Sequence, residues 1–185
     1  MPRPALRQQH LARRLAFASS PGAAPASAAL ADHLASVLRE LEPEMLGLYW
    51  PIRSEFNAAS ALEADAGASK WPLALPFTRR TPKEMHYRVW DGRAPTVLDE
   101  CGIRSSDGAL VVPDVLLVPC VGFTPDGYRL GYGGGYFDRW LALHPGVTAV
   151  GVAWSCTQLA PGEYEPQPHD QPLTLIVTER GVVAG

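Results

Sequence analysis

Apolar residues recur at helical spacing in three stretches near the start of the chain. The first, "RPALRQQHLARRLA", interleaves leucines with arginines and predicts an amphipathic helix. The second contains "LADHLASVLREL", and Ser27 lies where a side chain can cap a helix start. The third follows Asn57, another capping residue, and Gly67 supplies a C-terminal stop. A fourth helix, extending to Leu143, is predicted after a glycine-rich segment.

Six short runs have the pattern of strands. "EMHYRVW" alternates apolar and polar residues at a period of two, and the other five runs are almost wholly apolar. Those five are "MLGLYWP", "WPLALPF", "DVLLVPC", "VTAVGVAW" and "LTLIVTE", and the stretch between residues 91 and 113 is rich in turn formers. Strands buried on both faces lose their polar alternation, and alternation of such strands with helices is typical of α/β proteins. We therefore predict a three-layer α/β/α sandwich with a mostly parallel, Rossmann-like sheet.

Composition narrows the class of protein. The 185 residues are 46% hydrophobic and 19% charged, which suits one domain spanning 1–185, although a division into two is also compatible. A net charge of -3 offers no source for the counterion release that drives nucleic-acid binding. Three cysteines without CxxC spacing favour a reducing compartment, and no window reaches the roughly 18 apolar residues of a membrane span. We expect a cytoplasmic protein, monomeric, without nucleic-acid or membrane partners.

The N-terminal 30 residues resemble a targeting segment only in part. They are rich in arginine and free of acidic residues, as transit peptides are, but they lack the apolar core of a signal peptide. The helical spacing favours an ordinary amphipathic helix over a transit peptide.

The segment "RLGYGGGYFDR" carries the clearest chemical signal. Four glycines in five positions precede the start of a predicted helix, where exposed backbone N–H groups and the helix dipole favour an anion. Arg129 would add a charge-assisted contact to a phosphate oxygen, and Asp138 would need a bridging Mg²⁺ to lie beside the same phosphate. The residues alone leave two alternatives open, a flexible or structural turn and a simple Arg129–Asp138 ion pair.

This segment also carries a family resemblance. "LLVPCVGFTPDGYRLGYGGGYFDRWL" resembles, without gaps, the signature of the 5-formyltetrahydrofolate cyclo-ligase family, also called 5,10-methenyltetrahydrofolate synthetases. Four other segments resemble parts of the family more weakly: "RPALRQQHLARR", "LYWPIRSEF", "EMHYRVW" and "PHDQPLTLIVTERG". The resemblance extends over most of the chain.

The resemblance implies a role for each matching residue. ATP would be held by Arg3, Arg7, Arg129, Leu130, Gly131, Tyr132, Gly133, Gly134, Gly135, Tyr136 and Phe137. The folate would be held by Trp50, Glu55, Met85, Tyr132 and Tyr136, and Mg²⁺ by Asp138 and Asp170. Arg129, Tyr136 and Asp138 would carry the catalytic step. Without the family, the residues favour an exposed carboxylate at a helix start for Glu55, and plain core for Trp50 and Met85.

Two positions depart from the family pattern. Gly134 stands where many members have lysine, so the missing phosphate contact would have to come from Arg129, Arg7 or Arg139. Phe137 replaces a tyrosine, which keeps the ring and removes the hydroxyl. These departures bear on the phosphate geometry more than on the family.

The implied reaction closes a ring at the expense of ATP. Phosphoryl transfer to the formyl oxygen of 5-formyltetrahydrofolate would give an imidate phosphate, N10 would attack its carbon, and ADP and phosphate would be released. Such chemistry depends on positioning and charge neutralisation, which suits a chain with no evident Ser-His-Asp or Cys-His nucleophile. Two other hypotheses are a folate- or nucleotide-binding module without activity, and a relative of sugar-phosphate isomerases or CoA-transferases.

Overall fold

A computed structural model describes residues 1–64 and 71–184 of the chain. Its helices are α1 (Arg3–Ala18), α2 (Ala23–Leu41), α3 (Ala58–Ala64) and α4 (Tyr136–Leu143), with a short 3-10 helix at Ser155–Thr157. The strands are β1 (Leu46–Gly47), β2 (Leu73–Arg80), β3 (Lys83–Trp90), β4 (Val97–Leu98), β5 (Arg104–Ser105), β6 (Leu110–Val111), β7 (Val115–Pro119), β8 (Gly122–Phe123), β9 (Arg129–Leu130), β10 (Thr148–Val152), β11 (Leu175–Thr178) and β12 (Gly181–Ala184).

Eight of these strands form one sheet in the order β12-β11-β10-β7-β1-β2-β3-β6. The four central pairings, from β11 to β2, are parallel. The three outer pairings, β12 with β11, β2 with β3 and β3 with β6, are antiparallel. The predicted α/β class with a mostly parallel sheet is confirmed, and antiparallel strands close both of its edges.

The sheet is covered on both faces. Successive residues of a strand point to opposite sides, so each strand contributes to both buried clusters. Val115 and Leu117 of β7 belong to one buried cluster, which includes residues of α2 and α3. Leu116 and Val118 belong to the other, which includes Trp140 of α4. The two clusters make the three layers that the apolar strand pattern predicted.

Helix α1 lies against the carboxyl end of the sheet. Its Leu6 packs in a third cluster with Val121 and Leu130, which flank the short β8–β9 hairpin, and with Leu159 and Tyr164. The buried face of α1 consists of Leu6, His10 and Arg14, whereas Leu15 is 62% exposed. The face predicted from the leucines is therefore rotated, and a buried arginine lies on it.

Helix boundaries differ from the sequence predictions in one place. Ser27 does not cap α2, which begins at Ala23 after Gly22 and has no side-chain cap. Pro25 falls in the first turn, where a missing N–H breaks no helical hydrogen bond, so residues 23–26 are helix and the loop is confined to residues 19–22. The cap at Asn57 is confirmed by a 3.2 Å hydrogen bond from the Ser60 N–H to its Oδ1. The predicted stop at Gly67 lies outside the described residues.

Two further differences concern strands. The turn-rich stretch after residue 90 contains three two-residue strands, and β12 near the C-terminus was not predicted. Among the described residues, no helix combines the length and apolarity needed to cross a membrane.

Candidate functional site

A cavity of about 440 Å³ opens at the carboxyl ends of β1 and β7. The carboxyl edge of a parallel sheet is where ligands bind in open α/β folds, because the loops that follow the strands converge there. Its walls come from the start of α1, the segment after β1, strands β2 and β3, the glycine loop at residues 131–135, and the segment before β11. The sequence-predicted site residues that line it are Arg3, Arg7, Trp50, Glu55, Met85, Arg129, Gly131, Tyr132, Gly133, Gly134, Gly135, Tyr136, Phe137, Asp138 and Asp170.

Leu130 is the one predicted site residue that does not line the cavity. It is 1% exposed and packs with Leu6 and Val121 beneath the glycine loop. Alternation along β9 turns Arg129 and Leu130 to opposite sides, so the leucine side chain supports the loop from the core.

The glycine loop needs its glycines at three positions. Gly133 and Gly135 have φ angles of +92° and +64°, and Gly135 caps α4 in the left-handed conformation. A Cβ on Gly133 would lie 3.1 Å from the Arg7 guanidinium carbon. A Cβ on Gly134 would lie 2.7 Å from the ring of Tyr136. The loop is thus packed between α1 and Tyr136 and is not an open hairpin tip.

Arginines surround the loop at one end of the cavity. The Arg7 Nε donates a 2.7 Å hydrogen bond to the Gly131 carbonyl, which ties α1 to the loop. Arg139 donates to the Gly134 carbonyl at 2.9 Å and to the Lys83 carbonyl at 3.1 Å, and it does not line the cavity. Of the arginines expected to replace the family's lysine, Arg7 and Arg129 therefore face the cavity and Arg139 does not.

Arg129 forms an ion pair with Asp138 in the first turn of α4, with 3.0 Å between Nη2 and Oδ1. The Gln171 backbone holds both partners, since its carbonyl accepts from Arg129 at 3.3 Å and its N–H donates to Asp138 at 3.2 Å. The arginine side chain is 4% exposed and the aspartate side chain 17%. The pairing that the sequence left as an alternative is present, at the wall of the cavity.

A second ion pair lies beside the first. The Arg3 Nη2 is 2.5 Å from the Asp170 Oδ2, which also accepts from the Tyr164 hydroxyl at 3.0 Å and the Gln167 N–H at 2.7 Å. Burial alone would raise the pKa of the Asp170 carboxyl, but these three donors lower it to about 2. Asp170 is therefore ionised throughout the physiological range.

A buried carboxylate, in contact with Tyr132 of the glycine loop, defines the other end of the cavity. The Tyr132 hydroxyl donates to the Glu55 Oε1 at 2.6 Å, and the Ile52 N–H donates to Oε2 at 2.8 Å. The Arg14 Nη2 donates to the same Tyr132 hydroxyl at 2.5 Å. Burial raises the pKa of Glu55, whose side chain is only 3% exposed. Glu55 is thus a cavity carboxylate and not the exposed helix-start residue that its position alone allowed.

Trp50, Met85 and Tyr136 form apolar walls between the two ends. Trp50 packs edge-on against Trp90, with 6.1 Å between ring centroids, and Met85 is 8% exposed. The Tyr136 hydroxyl donates to the Arg79 carbonyl at 3.1 Å and lies 3.4 Å from the Cys101 sulfur. The hydrogen bond with Cys101 and burial raise the pKa of Tyr136 to about 12. Tyr136 is therefore a neutral phenol held at the cavity wall.

Sequence reasoning missed several lining residues, among them Tyr49, Arg53, Asp99 and Cys101, and it missed Arg14 behind them. The turn-rich stretch that contains Asp99 and Cys101 gives no periodic signal. Arg14 did give one, because it follows Leu6 by eight residues on the same helical face.

Comparison with known proteins identifies the family. A model of the 5-formyltetrahydrofolate cyclo-ligase family matches residues 2–179. The chain belongs to that family. A curated 5-formyltetrahydrofolate cyclo-ligase from Haemophilus influenzae is 26% identical over 150 residues, 72% of this chain and 76% of the relative. Another, from Mycoplasma pneumoniae, is 40% identical over 67 residues, 36% of this chain and 39% of that relative, so this alignment spans about two fifths of its length.

Solved structures agree with this cyclo-ligase assignment. The 5,10-methenyltetrahydrofolate synthetase of Aquifex aeolicus has a TM-score of 0.76 and 28% identity, over 100% of this chain and 93% of that chain. The synthetase of Mycoplasma pneumoniae has a TM-score of 0.74 and 24% identity, over 97% and 99%, and shows the shared fold. The family resemblance read from the glycine loop is confirmed.

Proposed function

We propose that this cyclo-ligase family member uses Mg-ATP to convert 5-formyltetrahydrofolate to 5,10-methenyltetrahydrofolate, releasing ADP and phosphate. The observation that carries the proposal is one cavity with chemically opposite ends. Three arginines and a glycine loop lie at one end, and a buried carboxylate with aromatic walls lies at the other. A polyphosphate suits the first end and an amino-pyrimidine ring the second.

The arginine end suits a ligand that brings both an anion and a cation. Arg3 and Arg129 are each paired with an aspartate, so free phosphate would have to displace a carboxylate. Mg-ATP would resolve this conflict, because its phosphates would pair with the arginines, and Asp138 and Asp170 would hold the metal. Backbone N–H groups of the loop, at the start of α4, would contact the same phosphates.

The residues present fit a magnesium ion that arrives with its nucleotide. Among the described residues, no group of three or more His, Cys, Asp or Glu side chains is arranged to hold a metal. Mg²⁺ bound with substrate phosphates needs only one or two protein carboxylates. Asp138 and Asp170 both line the cavity and would supply them. The ion would neutralise charge on the phosphates.

Glu55 suits the pterin end of the folate. Each of its oxygens accepts one hydrogen bond from the protein and retains a second lone pair. The amino and ring N–H donors of the pterin can use these, while Trp50 and Met85 lie against the ring. Because the carboxylate is already fixed by Tyr132 and Ile52, binding requires little reorganisation.

The chain's contribution to the reaction is placement. Holding the formyl oxygen in line with the γ-phosphoryl group converts a bimolecular transfer into one within the complex. Arg7 and Arg129 line the cavity and would face the negative charge that spreads over the transferring oxygens. Tyr136, a neutral phenol, can donate its hydrogen bond to the substrate in place of the Arg79 carbonyl.

We also propose that residues 1–185 form a single domain that acts as a monomer in the cytoplasm. One sheet takes strands from residue 46 through residue 184, which supports a single unit. Cys101, Cys120 and Cys156 are all free thiols, which suits a reducing compartment.

The test mixes purified protein with 5-formyltetrahydrofolate and Mg-ATP and follows the absorbance of the methenyl product. Wild-type protein and an Asp126→Asn control, altered at an exposed hairpin position, should form product. Arg129→Ala and Asp138→Ala should lose it. A folded wild-type protein that binds ATP and folate without forming product would instead indicate a binding module.

A further inference from the structure

Arg14 is a buried arginine behind the cavity. It is 1% exposed and lies on the face of α1 that packs against the rest of the protein. Its guanidinium donates to the Ser54 hydroxyl at 3.3 Å, the Cys120 carbonyl at 3.2 Å and the Tyr132 hydroxyl at 2.5 Å. These contacts join α1 to the segment before Glu55, the end of β7 and the glycine loop.

The charge of Arg14 has one counterion within the described part of the chain. Its Nη1 lies 3.9 Å from the Glu55 Oε1, and the two side chains are 2% and 3% exposed. Burying either charge alone is costly, and removing one partner of a buried pair leaves the other uncompensated. Arg14 and Glu55 therefore form one electrostatic unit.

The hydroxyl of Tyr132 connects the pair with a fixed direction. An arginine can only donate hydrogen bonds and an ionised carboxylate can only accept them. The Tyr132 oxygen consequently accepts from Arg14 and its proton points to Glu55. A protonated Glu55 could still accept from Tyr132 at its carbonyl oxygen, but hydrogen bonds to an ionised acceptor are stronger, so the arrangement favours the ionised carboxylate.

We propose that Arg14 is a positioning residue for the folate substrate: through the Tyr132 hydroxyl it holds Glu55 ionised and oriented toward the amino-pyrimidine edge. The identity of the ligand rests on the proposed function. The coupling of Arg14 to Glu55 does not.

The charged and titratable groups that face Glu55 come from every element around it. They are Arg14 of α1, Tyr132 of the glycine loop, Arg53 of its own turn, Tyr49 after β1 and Cys120 after β7. Burial raises the pKa of Glu55, and the Tyr132 hydroxyl, the Ile52 N–H, Arg14 and Arg53 oppose that rise. Without Arg14 the pKa of Glu55 should rise further. On acidification, folate binding that needs the carboxylate should then be lost at a higher pH than in the wild type.

The deciding experiment follows the Glu55 carboxyl carbon by NMR during a pH titration of the full-length protein. Arg14→Met should raise the pKa of Glu55 by about one pH unit or more, as expected when a nearby opposite charge is lost. Arg14→Lys keeps the charge and should restore part of the difference. Arg13→Met removes an exposed arginine from the same helix and should leave the pKa of Glu55 unchanged. An unchanged Glu55 pKa in folded Arg14→Met would overturn the proposal.

Tyr132→Phe tests the connecting hydroxyl and serves if Arg14→Met does not fold. It keeps the ring, the charge of Arg14 and the path of the loop. The pKa of Glu55 should again rise, because its strongest donor is lost. If Tyr132→Phe leaves that pKa unchanged, Arg14 does not act through the tyrosine and the proposal fails.

Folate binding separates this proposal from the proposed function. The Kd of 5-formyltetrahydrofolate, followed by tryptophan fluorescence against pH, should weaken about threefold in Arg14→Met at a pH midway between two Glu55 pKa values one unit apart, and about tenfold at a pH below both. It should recover at higher pH, whereas a merely structural defect would weaken binding at every pH. No folate binding by the wild type would overturn the proposed function and the folate role together. Wild-type binding with an unchanged Glu55 pKa in Arg14→Met would overturn the role of Arg14 alone.

Discussion

The two ends of the cavity are organised in different ways. At the folate end, the Glu55 carboxylate receives hydrogen bonds from Tyr132 and Ile52, and Arg14 behind it is fully buried. At the proposed phosphate end, Arg3 forms an ion pair with Asp170, and Arg129 forms one with Asp138. On the proposed function, the first end would receive its ligand without rearrangement, and the second end would have to exchange its ion-pair partners.

This difference indicates which groups each proposed substrate has to supply. The Glu55 carboxylate, with its free lone pairs, favours a neutral ring that has N–H donors. Binding such a ring requires no metal ion. Arginines that already have counterions discriminate against an anion that arrives alone. ATP without magnesium would leave Asp138 and Asp170 beside its phosphates, and like charges at that distance repel. The requirement for the metal is thus expected to belong to the nucleotide end only.

The largest expected effect comes from removing the folate-end carboxylate. In Glu55→Gln the charge is lost while size is kept, and Arg14 is left buried without its counterion. A buried substrate N–H donor that loses its charged acceptor costs about 2–5 kcal/mol of binding, so kcat/KM for the folate should fall by a factor of about 30 to several thousand. The Kd of Mg-ATP, measured by calorimetry, should stay near that of the wild type. A comparable loss of ATP affinity would show that the two ends are not separate.

The next effect concerns the phosphate end. Asp138→Asn should lower Mg-dependent turnover by about 10- to 100-fold, the range seen when residues supporting a bound metal are lost. The same variant should bind magnesium-free ATP more tightly than the wild type, because Arg129 no longer has a competing carboxylate. Calorimetry with and without Mg²⁺ checks both, and Asp126→Asn is the matched control. Weaker binding of magnesium-free ATP would contradict the exchange of partners.

A smaller effect should follow from filling the space at Gly134. A Cβ there would lie 2.7 Å from the Tyr136 ring, so Gly134→Ala has to displace that ring and weaken its bond to the Arg79 carbonyl. We expect kcat to fall about tenfold, with a smaller change in folate Kd. Gly146→Ala, whose Cβ meets no atom within 4 Å, is the control. Full activity in Gly134→Ala would mean that the position of Tyr136 is not critical, and would make a lysine there compatible.

The smallest effect is on the pH dependence of stability. Because burial raises the pKa of Glu55 above its ordinary 4.5, the folded protein binds this proton more readily than the unfolded chain. The ionised carboxylate therefore costs stability above its folded-state pKa, and the cost disappears as the pH falls from there toward 4.5. The Tm of Glu55→Gln minus that of the wild type should decrease on acidification. Glu44→Gln, at an exposed position, is the control. Its Tm minus that of the wild type should not decrease on acidification.

The same contrast explains what the sequence could predict. Glycines and arginines of the phosphate end are consecutive or nearly so, and their pattern identified the loop, its family and most of its lining residues. Glu55, Trp50 and Met85 were found through family resemblance, because their spacing alone equally suits a helix start or a core. Leu130 was misplaced because a contiguous motif does not show which residues point inward.

Arg14 escaped prediction for a physical reason. A periodic arginine on an amphipathic helix is usually solvated, and only tertiary contacts with Tyr132 and Cys120 make its burial favourable. The predicted cap at Ser27 was wrong, because residues 23–26 form the first turn of α2, where Pro25 is tolerated.

The central claim is that one cavity couples ATP to ring closure on a folate. The most direct measurement counts ADP released and methenyl product formed in the same reaction of purified protein with 5-formyltetrahydrofolate and Mg-ATP. The account predicts equal amounts of both, and neither when the folate or the magnesium is omitted. ADP released at the same rate without folate, or folate bound with no product formed, would contradict it.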